Sequence, residues 1–354
     1  MNGGWWQYAA VFIGASALSL VFTPLAIKFA VARSVLDEPG GHKSHSSPVP
    51  YLGGVAIVLA FSLIVGVAAV VDQSTRGDSE LVKVLGIAIG LALLGLIDDL
   101  KGLPALFRLV VEIGSGVLLH VLDVGVQFTG SEFVDLTVTV LWVVGLSNAF
   151  NMIDNMDGLS AGLAAIASAS FFAIAAANGQ FLVAALAAGI AGCALGFLRH
   201  NYHPARIYMG DAGAYFLGFM LSYLGLKIQF LGSPQNNTFI VPIVVCSVAI
   251  FDTSLVTITR LYHRISPLQG GRDHTSHRLV KVGLPIRVAV GLIHLAGAAV
   301  GVVAFVIARV DDTSGWILVG LTVTLMSGFG ALLAMVPVYE SSRHALYRVE
   351  KSDA

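Results

Sequence analysis

Residues 82–103 read VKVLGIAIGLALLGLIDDLKGL, a long apolar run that ends on two adjacent aspartates. A run of this length predicts a helix that crosses a lipid bilayer, since a span takes about 20 mainly apolar residues. The whole chain of 354 residues has the same character, with 56% apolar and only 12% charged residues. Soluble domains carry about 25% charged residues. The composition therefore excludes a soluble globular protein, a disordered chain and a disulfide scaffold, and it predicts a polytopic membrane protein.

Eleven apolar runs are long enough to cross a membrane, and the connections between them are short. We therefore expect an all-α fold with about eleven transmembrane helices in a single domain over residues 1–354. One division is poorly marked, because only Asn178 and Gly179 separate the sixth run from the seventh. The runs lie at residues 8–32, 54–71, 82–98, 105–122, 133–150, 159–177, 180–198, 212–230, 239–259, 288–308 and 315–338.

The basic residues lie mainly on one face of this predicted bundle. With the N-terminus outside, fifteen Arg and Lys residues lie on one face and four on the other. The positive-inside rule assigns the richer face to the cytoplasm, and an odd number of spans then places the C-terminus inside. The predicted cytoplasmic loops of interest are residues 34–53, 99–104, 151–158, 199–211 and 260–287.

Pairs of glycines four residues apart recur within the spans. Such pairs let neighbouring helices approach closely, and internal packing is the favoured interpretation. They permit a homodimer without requiring one. The pairs are Gly86 and Gly90, Gly192 and Gly196, and Gly297 and Gly301.

Five carboxylates lie at the cytoplasmic ends of predicted spans. A charge at such a depth costs a few kcal/mol unless it is paired, hydrated or metal-bound, so these acids are functional candidates. Helix capping accounts for an acid at a helix N-terminus, but two adjacent acids at a helix C-terminus oppose the macrodipole and require a nearby cation. Oxygen ligands without a cysteine cluster favour Mg²⁺, or Mn²⁺, over zinc. The acids are Asp98, Asp99, Asp154, Asp157 and Asp211.

Spacing adds detail to these pairs. Asp154 and Asp157 share one face if their segment is helical, whereas Asp98 and Asp99 cannot point the same way on a regular helix. The second pair is therefore expected to divide its roles. Glu112, four residues after Arg108, is interpreted as a helix pair at the interface and is left out of the candidate site.

Two cytoplasmic loops carry the compensating positive charge. Residues 36–54 are rich in Pro and Gly, which predicts an irregular loop, and contain Lys43 and His45. Residues 260–287 hold six Arg or Lys and three His. An anchor for anionic lipid headgroups is one interpretation of this second loop.

The segment DHTSHR in the second loop favours phosphate binding instead. His274 and His277 are three residues apart, so on a helix their imidazoles share a face suited to phosphate contacts. Arg272 precedes them as a further cation. Asp252 lies eight residues before Arg260, roughly 12 Å deeper at 1.5 Å per residue, and is kept as a substrate-site candidate.

An ordered series of motifs then resembles a known family. HKSH followed by PVPYLGG, then LGLIDDLKGL, NAFNMIDNMDGLSAG, IYMGDAGAYFLG, IFDTSLVTITR and GGRDHTSHRL are similar to motifs of the polyprenyl-phosphate N-acetylhexosamine-1-phosphate transferases, closest to the WecA-like branch. The resemblance covers about residues 36–280. It implies a transmembrane catalytic domain in the bacterial inner membrane with its active site on the cytoplasmic face.

The reaction that the resemblance implies joins two phosphates. A polyprenyl phosphate, undecaprenyl or decaprenyl, attacks the β-phosphorus of a UDP-N-acetylhexosamine, with UDP-GlcNAc as the default donor, and releases UMP with Mg²⁺ required. No nucleic-acid partner is expected. Since a phosphate monoester is mostly dianionic at pH 7, we expect charge neutralisation and positioning to matter more than an obligatory base.

The resemblance also assigns roles residue by residue. Asp211 resembles the principal Mg²⁺ ligand, with Asp154 as a second, and Asp98 and Asp99 resemble the acidic pair assigned to the prenyl phosphate or to base catalysis. The nucleotide and diphosphate segment corresponds to Asn151, Asp154 and Asp157. The basic positions near the phosphates correspond to Lys43, His45, His274 and His277.

Two alternatives stay open. One is transfer of phospho-MurNAc-pentapeptide, as in MraY-like members, but the short last loop and the absence of an MraY-like run of consecutive histidines favour a simpler UDP-sugar. Ser276 stands where such family members often carry the middle histidine. The other is an ion-coupled transporter, because buried Asp residues near His also form proton relays. A transporter predicts acids near the bilayer midplane.

Overall fold

The computed structural model of the chain describes residues 4–37, 48–71, 79–127, 130–228 and 240–339. These residues form thirteen α-helices and one short pair of β-strands. The helices are α1 (Trp5–Ala32), α2 (Gly53–Val71), α3 (Ser79–Lys101), α4 (Ala105–Val121), α5 (Glu132–Ile153), α6 (Leu159–Ala177), α7 (Phe181–Asn201), α8 (Gly210–Lys227), α9 (Val241–Val245), α10 (Ser247–Tyr262), α11 (Thr275–Lys281), α12 (Ile286–Ile307) and α13 (Asp312–Ala334).

Eight of the described helices are long and apolar enough to cross a membrane, namely α1–α3, α5–α7, α12 and α13. Helices also occupy the other three predicted positions, but α4, α8 and the α9–α10 pair fall short in length or apolar character. The last pair is interrupted at Cys246, so the predicted ninth span is two helices. The expectation of an all-α polytopic membrane protein is confirmed, while the number eleven and the placement of the termini stay predictions.

The poorly marked division is a tight helical hairpin. α6 ends at Ala177 and α7 begins at Phe181. Gly179 turns the chain with φ +71°, in the left-handed region, where glycine has no Cβ to clash. Three residues, 178–180, are thus enough to separate the helices.

Helix α8 lies at the centre of the bundle and packs against α2, α3 and α5. Glycines allow the first two helices to reach its N-terminus. A Cβ on Gly95 would lie 2.5 Å from the carbonyl oxygen of Asp211, and one on Gly54 would lie 2.5 Å from Cα of Gly213. Since no side chain fits either gap, backbone contact sets the distance between the end of α3 and Asp211.

The predicted close packing at glycine pairs holds for two of the three pairs. A Cβ on Gly192 or Gly196 would collide with backbone atoms of α1, and one on Gly297 or Gly301 would collide with side chains of α6. The prediction is wrong for the third pair, since a Cβ there would meet nothing within 4 Å. That pair is Gly86 and Gly90.

The described ends of residues 36–54 are less irregular than expected. Leu36–Asp37 (β1) pairs antiparallel with Val49–Pro50 (β2). The prolines that indicated a loop also favour extended backbone in the residue before them, which accounts for the second strand. Lys43 and His45 lie outside the described residues.

Candidate active site

The two aspartates at the end of α3 point to different partners, as their adjacency predicts. Asp98 accepts hydrogen bonds from the guanidinium of Arg108 and from the amide of Leu103. Asp99 Oδ1 instead accepts the backbone amide of Asp211, at 3.2 Å. Asp98 therefore pairs with the guanidinium of Arg108, while Asp99 fixes the first turn of α8.

Arg108 is the cation that the acidic pair requires, and the sequence reasoning did not place it there. It pairs with Asp98, and its Nη1 also lies 3.6 Å from Asp211 Oδ2. Asn151 Nδ2 donates to Asp211 Oδ1 at 2.7 Å. The ends of α3, α4, α5 and α8 thus bring these four side chains into one cluster.

One carboxylate oxygen in this cluster has no protein partner. Asp99 Oδ2 is buried and accepts no hydrogen bond from the described residues. An unsatisfied buried acceptor is costly, and it suits a cation. No group of three or more His, Cys, Asp or Glu in the described part of the chain is arranged to hold a metal. Because Mg²⁺ takes one or two carboxylates and completes its shell with phosphates and water, Asp99 and Asp211 fit an ion that arrives with the phosphates.

Asp154 and Asp157 lie in a turn rather than a helix, so the shared helical face does not form. α5 ends at Ile153, and Gly158 with φ +75° leads into α6. Asp157 accepts from His203 Nδ1 at 2.7 Å and from the amide of Ala205 at 3.0 Å. It therefore holds the loop between α7 and α8.

Asp154 belongs with the acidic cluster. Burial, with added repulsion from the carboxylates of Asp99 and Asp157, raises the pKa of Asp154 to about 7. A carboxyl with such a pKa is stabilised in its charged form by a nearby cation. This is the environment expected of a group that meets a metal or a basic ligand.

Asp252 supports the second basic loop from behind. It is 1% exposed, and its two oxygens accept from His274 Nδ1 and from the amide of Thr275, each at 2.7 Å. Both acceptors are therefore occupied by the loop. Asp252 orients His274 and presents no surface to a substrate, which differs from the binding role expected of it.

A second buried network fixes the base of the same loop. Arg260 donates to both oxygens of Asp273 at 2.7 Å. Burial alone would raise the pKa of Asp273, but hydrogen bonds from Arg260 and Tyr339 outweigh it and lower the pKa. Arg278 is fully buried and donates to the carbonyls of Asp273 and Leu333. Arg260, which belongs to the loop that could have been an anchor for lipid headgroups, is thus an internal residue.

The two predicted histidines lie close together in this loop, with His274 buried and His277 half-buried. His274 precedes the first residue of α11, and its ring centroid lies 5.9 Å from that of His277. Burial, with smaller contributions from His274 and the exposed Arg272, lowers the pKa of His277 to about 4. His277 is therefore neutral at pH 7, and its buried Nδ1 has no hydrogen-bond partner among the described residues.

Ser276 joins the loop to the turn that carries the acids. It is 1% exposed, and its hydroxyl donates to Asn155 Oδ1 at 2.6 Å. Asn155 lies between Asp154 and Asp157 in the chain. The residue that departs from the family pattern is therefore the link between the basic loop and the acidic turn.

Comparison with known proteins agrees with this geometry. The profile of Glycosyl transferase family 4 matches residues 81–229. A probable undecaprenyl-phosphate N-acetylglucosaminyl 1-phosphate transferase of Bacillus subtilis is 30% identical over 310 residues, which cover 85% of each chain. The decaprenyl-phosphate N-acetylglucosaminephosphotransferase of Mycolicibacterium smegmatis is 30% identical over 335 residues, covering 84% of this chain and 81% of its own.

A third relative is named for the alternative reaction, transfer of phospho-MurNAc-pentapeptide. The phospho-N-acetylmuramoyl-pentapeptide-transferase of Halalkalibacterium halodurans is 31% identical over 281 residues, covering 73% of this chain and 85% of its own. Similarity of this extent includes the helix ends that form the acidic cluster. The chain is a membrane phosphoglycosyltransferase and belongs to glycosyl transferase family 4.

Proposed function

We propose that this protein transfers GlcNAc 1-phosphate from UDP-GlcNAc to a polyprenyl phosphate and releases UMP. The observation that carries the proposal is the convergence of Asp98, Asp99, Asn151, Asp211 and Arg108 at one end of the bundle. Carboxylates and a guanidinium in one cluster suit a reaction that joins two phosphates. The names of the relatives supply the donor sugar and the undecaprenyl or decaprenyl acceptor.

The protein's first task in this reaction is to bring two anions together. A prenyl phosphate is mostly dianionic at pH 7, because its second pKa is about 6, so it needs little help in losing a proton. Arg108 is held by Asp98 with one nitrogen toward Asp211, and its remaining donors suit phosphate oxygens. Asp98 then orients the guanidinium of Arg108, and Asp99 positions the start of α8.

Mg²⁺ is the cofactor we propose, with Mn²⁺ as a substitute. Asp211 and the unpaired oxygen of Asp99 are the residues that would hold it, and the negative charge of the nearby Asp154 would stabilise it there. When bound, the ion supplies positive charge to the phosphates whose negative charges oppose their approach. Asn151 keeps one oxygen of Asp211 oriented by its 2.7 Å hydrogen bond.

The basic loops complete the proposed site on the nucleotide side. His274, oriented by Asp252, and the neutral His277 offer hydrogen bonds to the diphosphate, and Arg272 offers charge. Lys43 and His45 are proposed to join them. Asp157 acts through the loop that it holds by way of His203.

The proposed location is the bacterial inner membrane, with the site facing the cytoplasm. The support is the excess of basic residues on that face. The segments proposed to form the site are residues 34–53, 99–104, 151–158, 199–211 and 260–287, which in the described part of the chain include the ends of α3, α5, α7 and α10 and the whole of α11. An ion-coupled transporter is disfavoured, because the clustered acids lie at helix ends instead of at mid-helix positions.

The extent of similarity supports UDP-GlcNAc as the donor. Relatives named for GlcNAc align with 84–85% of this chain, whereas the MurNAc-pentapeptide relatives align with 73%. The purified protein should therefore release UMP from UDP-GlcNAc in detergent with undecaprenyl phosphate and Mg²⁺. The panel should include UDP-MurNAc-pentapeptide and other UDP-sugars.

The controls separate the alternatives. Asp211→Asn should abolish release, and omission of the lipid should do the same. UMP from UDP-MurNAc-pentapeptide alone would replace the proposed donor. No UMP from any sugar, with a folded protein, would contradict the proposed reaction.

A further inference from the structure

A second polar layer lies directly beneath the acidic cluster. Arg108 on α4, Asn151 on α5 and Asp211 on α8 form the upper layer. Glu112 lies four residues after Arg108 on α4, and it is 1% exposed. Residues three or four apart share a helix face, so Glu112 repeats the position of Arg108 one turn deeper in the bundle.

The partners of Glu112 repeat the other two positions. Its side chain accepts a hydrogen bond from Asn148, three residues before Asn151, and interacts with the hydroxyl of Tyr215, four residues after Asp211. Tyr215 is 1% exposed. The second layer, which we define as Glu112, Asn148 and Tyr215, thus uses the same three helices.

Such a layer has a cost that apolar packing would avoid. Removing a carboxylate from water is unfavourable unless charges and hydrogen bonds compensate. Here the compensation comes from the amide of Asn148 on α5, from the interaction with the Tyr215 hydroxyl on α8 and from the positive charge of Arg108 one turn above. A directional contact among three helices fixes their rotation and translation, which apolar contacts leave adjustable.

The geometry points to Glu112 as a positioning residue for the phosphoryl transfer, an inference that rests on the proposed function. By fixing α4, α5 and α8 one turn below the site, Glu112 holds Arg108, Asn151 and Asp211 at their mutual distances. Phosphoryl transfer depends on positioning and preorganised charge. A misplacement of about 1 Å is enough to cost roughly 100-fold in rate.

The test compares Glu112→Gln with a matched acid on another part of the bundle. Glutamine keeps the size and one acceptor and removes the charge. We expect kcat for UMP release to fall about 10- to 100-fold, with KM for UDP-GlcNAc changed less than about threefold. Tyr215→Phe removes only a hydroxyl and should lower kcat in the same direction.

The matched control is Glu80→Gln. Glu80 accepts from the hydroxyl of Tyr223 at 3.1 Å and pairs with Lys227 at 2.9 Å, near the opposite end of α8. The same combination of a carboxylate, a tyrosine and a cation therefore occurs there, away from the acidic cluster. Glu80→Gln and Tyr223→Phe should keep the wild-type kcat.

A double-mutant cycle with Arg108→Lys tests the connection between the layers. Glu112→Gln should have a much smaller effect in the Arg108→Lys background than in the wild type, whereas the effects of Glu80→Gln and Arg108→Lys should multiply. The inference is overturned if the effects of Glu112→Gln and Arg108→Lys multiply, or if kcat is unchanged in both Glu112→Gln and Tyr215→Phe. No UMP from the wild type would instead refute the proposed function.

Discussion

Replacement of Asp252 by asparagine isolates the support of the second basic loop. Asp252 lies in α10, and its acceptors hold His274 and the amide of Thr275, both at 2.7 Å. Asparagine has the same shape but only one acceptor, and its NH₂ group would face the other donor. The substitution therefore removes one hydrogen bond and leaves a buried donor unpaired without opening a cavity.

The size of the effect follows from burial. The side chains of Asp252 and His274 are 2% and 6% exposed, so solvent cannot replace the lost contact. A hydrogen bond to a charged group contributes about 1.5–3 kcal/mol, and an unpaired buried group costs about 1–3 kcal/mol. At 1.4 kcal/mol for each factor of ten, we expect turnover to fall about 30-fold or more as the loop leaves its position.

The assay is UMP release together with thermal unfolding of the protein in detergent. The loop can open while the spans stay folded, so the melting temperature should change less than the turnover implies. Asp135→Asn, at a buried acid in the first turn of α5, is the control and should keep wild-type turnover. Turnover of Asp252→Asn within threefold of wild type would refute the reasoning.

Three further predictions test the cluster and the loop. Gly95→Ala should lower turnover at least about tenfold, because the new Cβ would displace the backbone of Asp211. Gly90→Ala is the control on the same helix: its Cβ would meet nothing within 4 Å, so turnover should be unchanged. Asp99→Asn should stay equally impaired at pH 6 and pH 9 under saturating Mg²⁺ if Asp99 positions groups, and recovery at pH 9 would show that it is a base. Burial holds the pKa of His277 at about 4, below the 6.5 of the unfolded chain, so the unfolded chain binds more protons in that interval and stability should fall as the pH drops from 6.5 to 4. His277→Asn should flatten that part of the melting temperature against pH, and an unchanged slope would contradict the assignment.

The features predicted from the sequence are those set by local composition. Apolar runs located every helix of the described spans, because span length depends only on bilayer thickness. The placement of acids at helix ends likewise brought Asp98, Asp99 and Asp211 to one boundary before their contacts were known. In the sequence, Ser276 is only a departure from the family motif, because its hydrogen bond to Asn155 joins residues 121 apart in the chain.

The features that were missed depend on which helices are neighbours. Arg108 and Glu112 are an ordinary i, i+4 pair in sequence, yet each is paired chiefly with residues of other helices. Asp252 and His274 are 22 residues apart, and nothing local indicates that one holds the other. Helix spacing predicts which residues share a face, but it leaves unknown which face meets which neighbour.

The buried Arg278 has a consequence for how the protein is made. It donates to the carbonyl of Leu333 in the last turn of α13, which also accepts from the backbone amide of Val336. α13 is synthesised after α11, so the contact between Arg278 and Leu333 forms only once the final helix has entered the bilayer. Insertion of the last hydrophobic segment and maturation of the catalytic loop are therefore one event, and a nascent chain halted before Leu333 is expected to be embedded but inactive.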